Sequence, residues 1–224
     1  MLMQTRWLRW IPVAATVLAL LPIHAPALLF FPYKAEAHGI TVRSEDPLPP
    51  EKLEPILAAA QARVQTSTIA KHPVQQHSIY LTRGGWRWNW LAMGSTETFA
   101  VTRMFTENTI VNRNDLARDL VYSRRAIGHQ RALSVDIAHE MTHSMLRNHF
   151  GIWKTVTAPS WVIEGYADYV AGSSTLTPAE AEKLHAAFID HPTIRNFHAR
   201  LRVATILARN GTSVDRLFTD ARAH

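Results

Sequence analysis

A chain of 224 residues that is 47% hydrophobic and 19% charged carries enough apolar side chain to bury a core and too little charge for a disordered polymer. It has no cysteine, so disulfides are excluded and any metal must be held by His and carboxylate side chains. The net charge of +6 is spread without a long basic run, which argues for an anionic membrane surface as partner and against nucleic acid.

Arg6 and Arg9 lead into an uncharged stretch, Trp10 to Tyr33. Its length of about 24 residues is enough to span roughly 30 Å of hydrocarbon. Pro12, Pro22, Pro26 and Pro32 interrupt it. Two readings compete: a retained signal anchor, or a signal peptide cleaved after Ala37 at Ala35-Glu36-Ala37. The apolar run exceeds the usual signal-peptide core of about 7–15 residues, which favours the anchor. The basic head places the rest of the chain outside the cytoplasm, on the periplasmic side if the cell is bacterial. Cleavage would instead release a soluble exported form. Residues 1–37 are therefore a targeting segment, residues 38–50 a polar linker ending Pro47-Leu48-Pro49-Pro50, and residues 51–224 one domain.

Leu53, Ile56, Leu57, Ala60 and Val64 repeat at helical spacing over 50–64. Residues 77–83 alternate, with Ile79 and Leu81 on one face, and predict a strand that Gly84-Gly85 ends. Trp86, Trp88 and Trp90 alternate with Arg87 and Asn89, which predicts the aromatic face of a strand or hairpin against the core or a bilayer; a substrate-binding aromatic wall is the alternative. Residues 97–103 and 109–113 read as further short strands. Ile110-Val111-Asn112, just ahead of the next helix, is the candidate edge strand for pairing with an extended peptide.

After Gly128 a helix is predicted from about Gln130 to Asn148, with Leu133, Ile137, Met141 and Met145 as its buried stripe and Gly151 as its stop. Pro159 opens a second helix and Gly172 closes it. Thr177-Pro178-Ala179-Glu180 is a capping box, and the helix it starts runs to about Asp190-His191-Pro192. Another helix follows with Ile194, Phe197, Leu201 and Ala204 as its stripe, then Gly211 and a last helix over about 213–222. Strands first and helices later predict an α+β fold, a small mixed sheet followed by a helical half.

The chemistry concentrates in His139-Glu140-Met141-Thr142-His143, an H-E-x-x-H motif, and in Glu164 and Asp168 on the following helix. Residues four apart share a helix face, so His139 and His143 can hold one ion while Glu140 points beside it. Glu164 can supply a third ligand, and Asp168, one turn on, can accept the second ring N–H of a ligand histidine. A third histidine in the pattern H-E-x-x-H-x-x-G-x-x-H is excluded, because Leu146 stands where that pattern needs Gly, although His149 is present.

From Asp136 to Tyr169, about 35 residues, the chain resembles the gluzincin zinc metallopeptidases. It is most similar to their minimal peptidase domains, which read H-E-x-T-H and then P-x-W-x-x-E-G-x-A-x-Y. The resemblance covers Ala138 to His143 and Ala158-Pro159-Ser160-Trp161-Val162-Ile163-Glu164-Gly165-Tyr166-Ala167-Asp168-Tyr169. It implies a zincin-like fold, Zn2+ on His139, His143 and Glu164, Glu140 as general base and Asp168 as partner to a ligand histidine. It also implies a Tyr or His that stabilises the oxyanion; Tyr166, Tyr169, His185, His191 and His198 all remain candidates. The function expected is peptide-bond hydrolysis by a membrane-anchored metallopeptidase outside the cytoplasm. The alternatives are a silent zinc-binding module for protein assembly, and hydrolysis of a non-peptide amide.

Overall fold

Period-two alternation in a few short segments builds the centre of the molecule. The computed structural model describes residues 10–70, 78–124, 126, 128–174, 176–187 and 191–221. Helix α1 (Ile11–His24) and a 3-10 turn (Pro26–Leu29) precede strands β1 (Tyr33–Ala37) and β2 (Ile40–Ser44). Helix α2 (Pro50–Val64), β3 (Ser78–Leu81), α3 (Gly85–Leu91), β4 (Ala100–Thr102) and β5 (Asn108–Val111) follow. These strands form one mixed sheet in the order β1-β2-β3-β5-β4, in which β2–β3 and β3–β5 are parallel and the outer pairs antiparallel. Ile79, Leu81, Val42 and Val111 point to one face and join the main core, while Tyr80 and Ile110 point to the other and pack with Phe31, Trp88 and Leu91. The central strands β3 and β5 are thus apolar on both faces, as strands covered on both sides require.

A second sheet of β6 (Asn114–Asp115), β7 (Leu120–Tyr122) and β8 (Gln130–Ala132) delivers the chain into the long helix α4 (Leu133–Phe150). Helices α5 (Ile152–Val156), α6 (Ser160–Ala171), α7 (Pro178–Ala186), α8 (Pro192–Arg209) and α9 (Val214–Asp220) complete the fold. The architecture is α+β, with three helices before and among the strands and helices alone from α4 onward. The capping box holds: the Thr177 backbone N–H donates to Glu180 at 2.8 Å and the Glu180 N–H donates back to Thr177 Oγ1 at 3.3 Å.

Several expectations are corrected. The tryptophan run is helix α3, not a strand: Trp86 and Trp90 lie four apart with ring centroids 5.9 Å from each other, and Trp88, on the other face, is buried in the second core. Alternating large and polar residues over so short a run fit both periods, and the positive φ of Gly84 and Gly85 turns the chain into the helix. The stretch read as a linker contributes β2, an interior strand, and β1 lies within the segment read as targeting. Ile110-Val111 belongs to interior strand β5, so the sheet edge on that side is β4. The α8 stripe runs through Ile194, Phe197, Val203 and Leu207, with Leu201 exposed, because α6 packs across Ala199.

The expected membrane span is not found among the described residues, where no helix is long and apolar enough to cross a membrane. Helix α1 has 14 residues. At 1.5 Å per residue it is about 21 Å long, short of roughly 30 Å of hydrocarbon. It ends at Ala25, just before Pro26 opens the 3-10 turn.

Candidate metal centre

Helix α4 lies under the main sheet with Leu133, Ile137, Met141 and Met145 in the core. That burial fixes its rotation, and the rotation carries His139, Glu140 and His143 to the face turned toward α6. Helix α6 starts after Pro159 and stops at Gly172 in the left-handed conformation. It lies against both α4 and α8, and Gly165 makes the second contact possible, since a Cβ there would fall 2.7 Å from the Ala199 carbonyl. Glu164, the residue before it, is thereby aimed at the two histidines.

The three donors converge. His143 Nε2 is 3.1 Å from His139 Nε2 and 3.7 Å from Glu164 Oε1, and His139 Nε2 is 3.5 Å from Glu164 Oε2. A tetrahedral ion with ligand bonds of about 2.0–2.1 Å separates its donor atoms by about 3.3–3.4 Å. The spacing fits a metal, and His139, His143 and Glu164 form a group that could hold one. Two imidazole nitrogens at 3.1 Å also face each other across space that a shared cation, or a proton on one of them, must reconcile.

The electrostatics say the same. Burial pulls the His139 pKa down, but the Asp168 and Glu164 carboxylates outweigh it and hold the imidazole protonated up to about 10. His143 is shifted down, first by burial, and stays neutral. Burial raises Glu164, yet His143 and His139 bring it to about 2, and Asp168 likewise ends at about 2 through Arg131 and His139. Without a metal, the centre therefore carries a proton at the point where the three donors could share a cation.

Asp168, buried one turn beyond Glu164, accepts from His139 Nδ1 at 2.8 Å. This bond places the ring proton on Nδ1 and leaves Nε2 facing the other donors. Arg131 on β8, which sequence reasoning missed, donates to Asp168 Oδ1 at 2.7 Å and to Asp136 Oδ1 at 3.4 Å. It ties the second sheet to both helices that carry the candidate ligands. Asp136 is pushed up to about 6 by burial, against the Arg131 charge. Its Oδ2 has no hydrogen-bond partner among the described residues. The Arg131–Asp168 pair spans 37 residues and leaves no local sequence signal, and only the acidic residues in the motif's neighbourhood hinted at it.

A cavity of about 600 Å3 opens beside the donors, lined by Glu140 and by all three β4 residues, Ala100, Val101 and Thr102. Glu140 therefore shares a solvent space with the candidate ligands and with a free strand edge. Arg147, one turn past His143, makes a two-pronged pair with Glu107 on the β4–β5 turn, and Ser144 also donates to Glu107. This clamp holds the β4–β5 hairpin against the helix that carries His139 and His143.

Among the oxyanion candidates the structure discriminates. Tyr166 is buried, with its hydroxyl 2.7 Å from Ser67 Oγ. Tyr169 and His198 do not line the cavity, and the His185 side chain lies outside the described residues. His191 does line it. At the N-cap of α8 its Nδ1 accepts the Thr193 backbone N–H at 3.2 Å, so in the neutral ring the hydrogen sits on Nε2. His149, the remnant of the three-histidine pattern, is instead 3.0 Å from Asp215. No protein-family model, curated protein or solved structure matches the chain.

Proposed function

We propose that the chain is a zinc-dependent peptidase of gluzincin type, attached to a membrane and acting outside the cytoplasm. The observation that carries the reading is the convergence of His139, His143 and Glu164 on one point beside a cavity that Glu140 and the β4 edge share. An all-His/carboxylate set suits Zn2+ better than Mg2+ or Ca2+, which take oxygen ligands. Bound there, zinc supplies a Lewis acid that brings the pKa of a water in the open position to about 7. The chain's own groups do the rest. An extended peptide pairs along β4 and so presents its carbonyl to the cavity. Glu140 takes a proton from the attacking water as the oxygen adds to the carbonyl carbon, then gives that proton to the amine nitrogen as the C–N bond breaks. His191 Nε2–H supplies a hydrogen bond to the carbonyl oxygen as charge develops on it. Asp168 keeps His139 in the ligating tautomer, and Arg131 keeps Asp168 in place.

A binding module with a structural zinc would have no use for a base beside an open cavity. Attachment is supported by Arg6 and Arg9 ahead of the uncharged stretch. Cleavage after Ala37 would also remove Phe31, which is 5% exposed and packs in the second core, and strand β1. That favours retention.

The test is metal analysis and cleavage of a peptide library by the full chain in detergent. One zinc per chain with cleavage is expected, and Glu140→Gln should keep the zinc and lose at least about 100-fold in turnover. Zinc without cleavage of any peptide would favour the module, and absence of zinc would reject both.

A further inference from the structure

The face of the main sheet opposite the metal centre ends in an uncovered apolar surface. Helix α1 is apolar around its whole circumference and exposed along most of its length. A helix of that kind belongs in a protein interior or in lipid. It does not stand alone. Phe30 is 74% exposed, Trp86 61%, Leu28 60% and Met93 52%, all at the same end of the fold. These side chains are held in place: Arg87 Nη1 donates to the carbonyls of Leu29 and Phe30, and Phe31 inserts edge-on against Tyr80 with ring centroids 5.2 Å apart. The turn carrying Leu28 and Phe30 is thus part of the domain, not a tail.

Charge identifies what covers the surface. Lys34 lies directly opposite Arg43 in the β1–β2 register, and Arg43 lies beside Tyr80 in the β2–β3 register. All three side chains share the sheet face that Phe31 and α3 occupy. Like charges directly opposite repel. No ion pair to either is formed among the described residues, and Glu36 is the one carboxylate of β1 on that face, while Arg87 is matched by Glu45 at 3.2 Å. Arg6 and Arg9 add positive charge just upstream in sequence. An apolar surface rimmed by unmatched cations fits an anionic lipid layer, which receives side chains in its acyl region and neutralises the basic groups at its headgroups.

We propose that this face, α1 with Leu28, Phe30, Trp86 and Met93 and the Lys34/Arg43 pair, docks flat on an anionic bilayer. The metal centre is then held on the far side of the sheet from the lipid. The proposal rests on the membrane attachment in the reading above and is independent of hydrolysis.

Because the chain has no cysteine, single ones can be placed at will. Full-length Phe30→Cys, Trp86→Cys and Met93→Cys, each carrying a polarity-sensitive fluorophore, are mixed with phosphatidylglycerol/phosphatidylcholine vesicles containing acyl-chain-brominated lipid. Trp153→Cys is the control, since that residue is 80% exposed on α5, which directly follows the helix carrying His139 and His143. Quenching at 30, 86 and 93 and little at 153 is expected, with Lys34→Glu/Arg43→Glu weakening vesicle binding at least about tenfold. Flotation with the vesicles but no quenching at the three positions would mean attachment through some other part and overturn the proposal, leaving the attachment reading intact. Shielding of the labels without lipid, growing with protein concentration, would assign the face to a second copy and overturn it too. Failure to float would reject both proposal and attachment, whatever the zinc and cleavage results.

Discussion

Gly165→Ala tests how the third ligand is positioned. In an exposed helix the change adds about 1 kcal/mol of stability, because glycine is the poorer helix former. Here the new Cβ would meet Ala199 C and O at 2.7 Å and Ala199 Cβ at 3.0 Å. Carbon contacts are comfortable at about 3.5–4.0 Å, so α6 and α8 must part by roughly 1 Å. Overpacking of this kind costs about 1–3 kcal/mol. The upper half of that range applies, because the obstacle is backbone and not the end of a flexible side chain. The balance is a net loss of about 1–2 kcal/mol, a fall in Tm of about 2–8 °C for a chain of this size. Moving α6 also moves Glu164 away from His139 and His143, so zinc affinity should drop by about tenfold, a change of about 1.4 kcal/mol. Urea denaturation and competition with a zinc chelator measure the two effects. Adding Ala199→Gly should not rescue the variant, because it removes only the Cβ contact and leaves the carbonyl. A Gly165→Ala protein as stable as its parent, or one rescued by Ala199→Gly, would refute the reasoning.

Asp168→Asn should weaken zinc binding by about 10–100-fold by releasing His139. It should also cost about 3 kcal/mol of stability by leaving buried Arg131 with only Asp136; loss of affinity without loss of stability would argue against the Arg131 link. Since metal-free His139 stays protonated up to about 10, ligation must displace its proton. Zinc affinity should therefore rise about tenfold per pH unit between about pH 7 and 9, with about one proton released per ion. Calorimetry in buffers of different ionisation enthalpy counts that proton, and a pH-independent affinity would exclude the protonated state. His191→Phe should lower turnover about 100-fold at unchanged zinc content. Tyr166→Phe should instead leave turnover intact and cost about 1 kcal/mol of stability through the lost Ser67 bond; the opposite pattern in a cleavage assay would exchange the two roles.

What could be read from the order of residues was whatever is local. The four-residue spacing of His139 and His143, the glycine and proline stops around α6 and the capping box at Thr177 each depend on neighbours within one or two turns of helix, and each stands in the structure. Short segments were read less well. The Trp86–Trp90 run satisfies helix and strand periods alike over five residues, and a free edge cannot be told from an interior strand by composition, so the edge role falls to β4 instead of the Ile110 strand. Pairing partners far apart in sequence left no trace. Arg131 reaches Asp168 across 37 residues, Glu107 reaches Arg147 across 40, and Gly165 owes its identity to the Ala199 backbone. Sequence by itself therefore determined which side chains can ligate and which one can act as base, because helical geometry puts them in register. Only the tertiary structure decided that Glu164 meets them, that β4 borders the cavity, and that Lys34 and Arg43 rim an apolar face. Those are consequences of packing elements together, which no single element encodes.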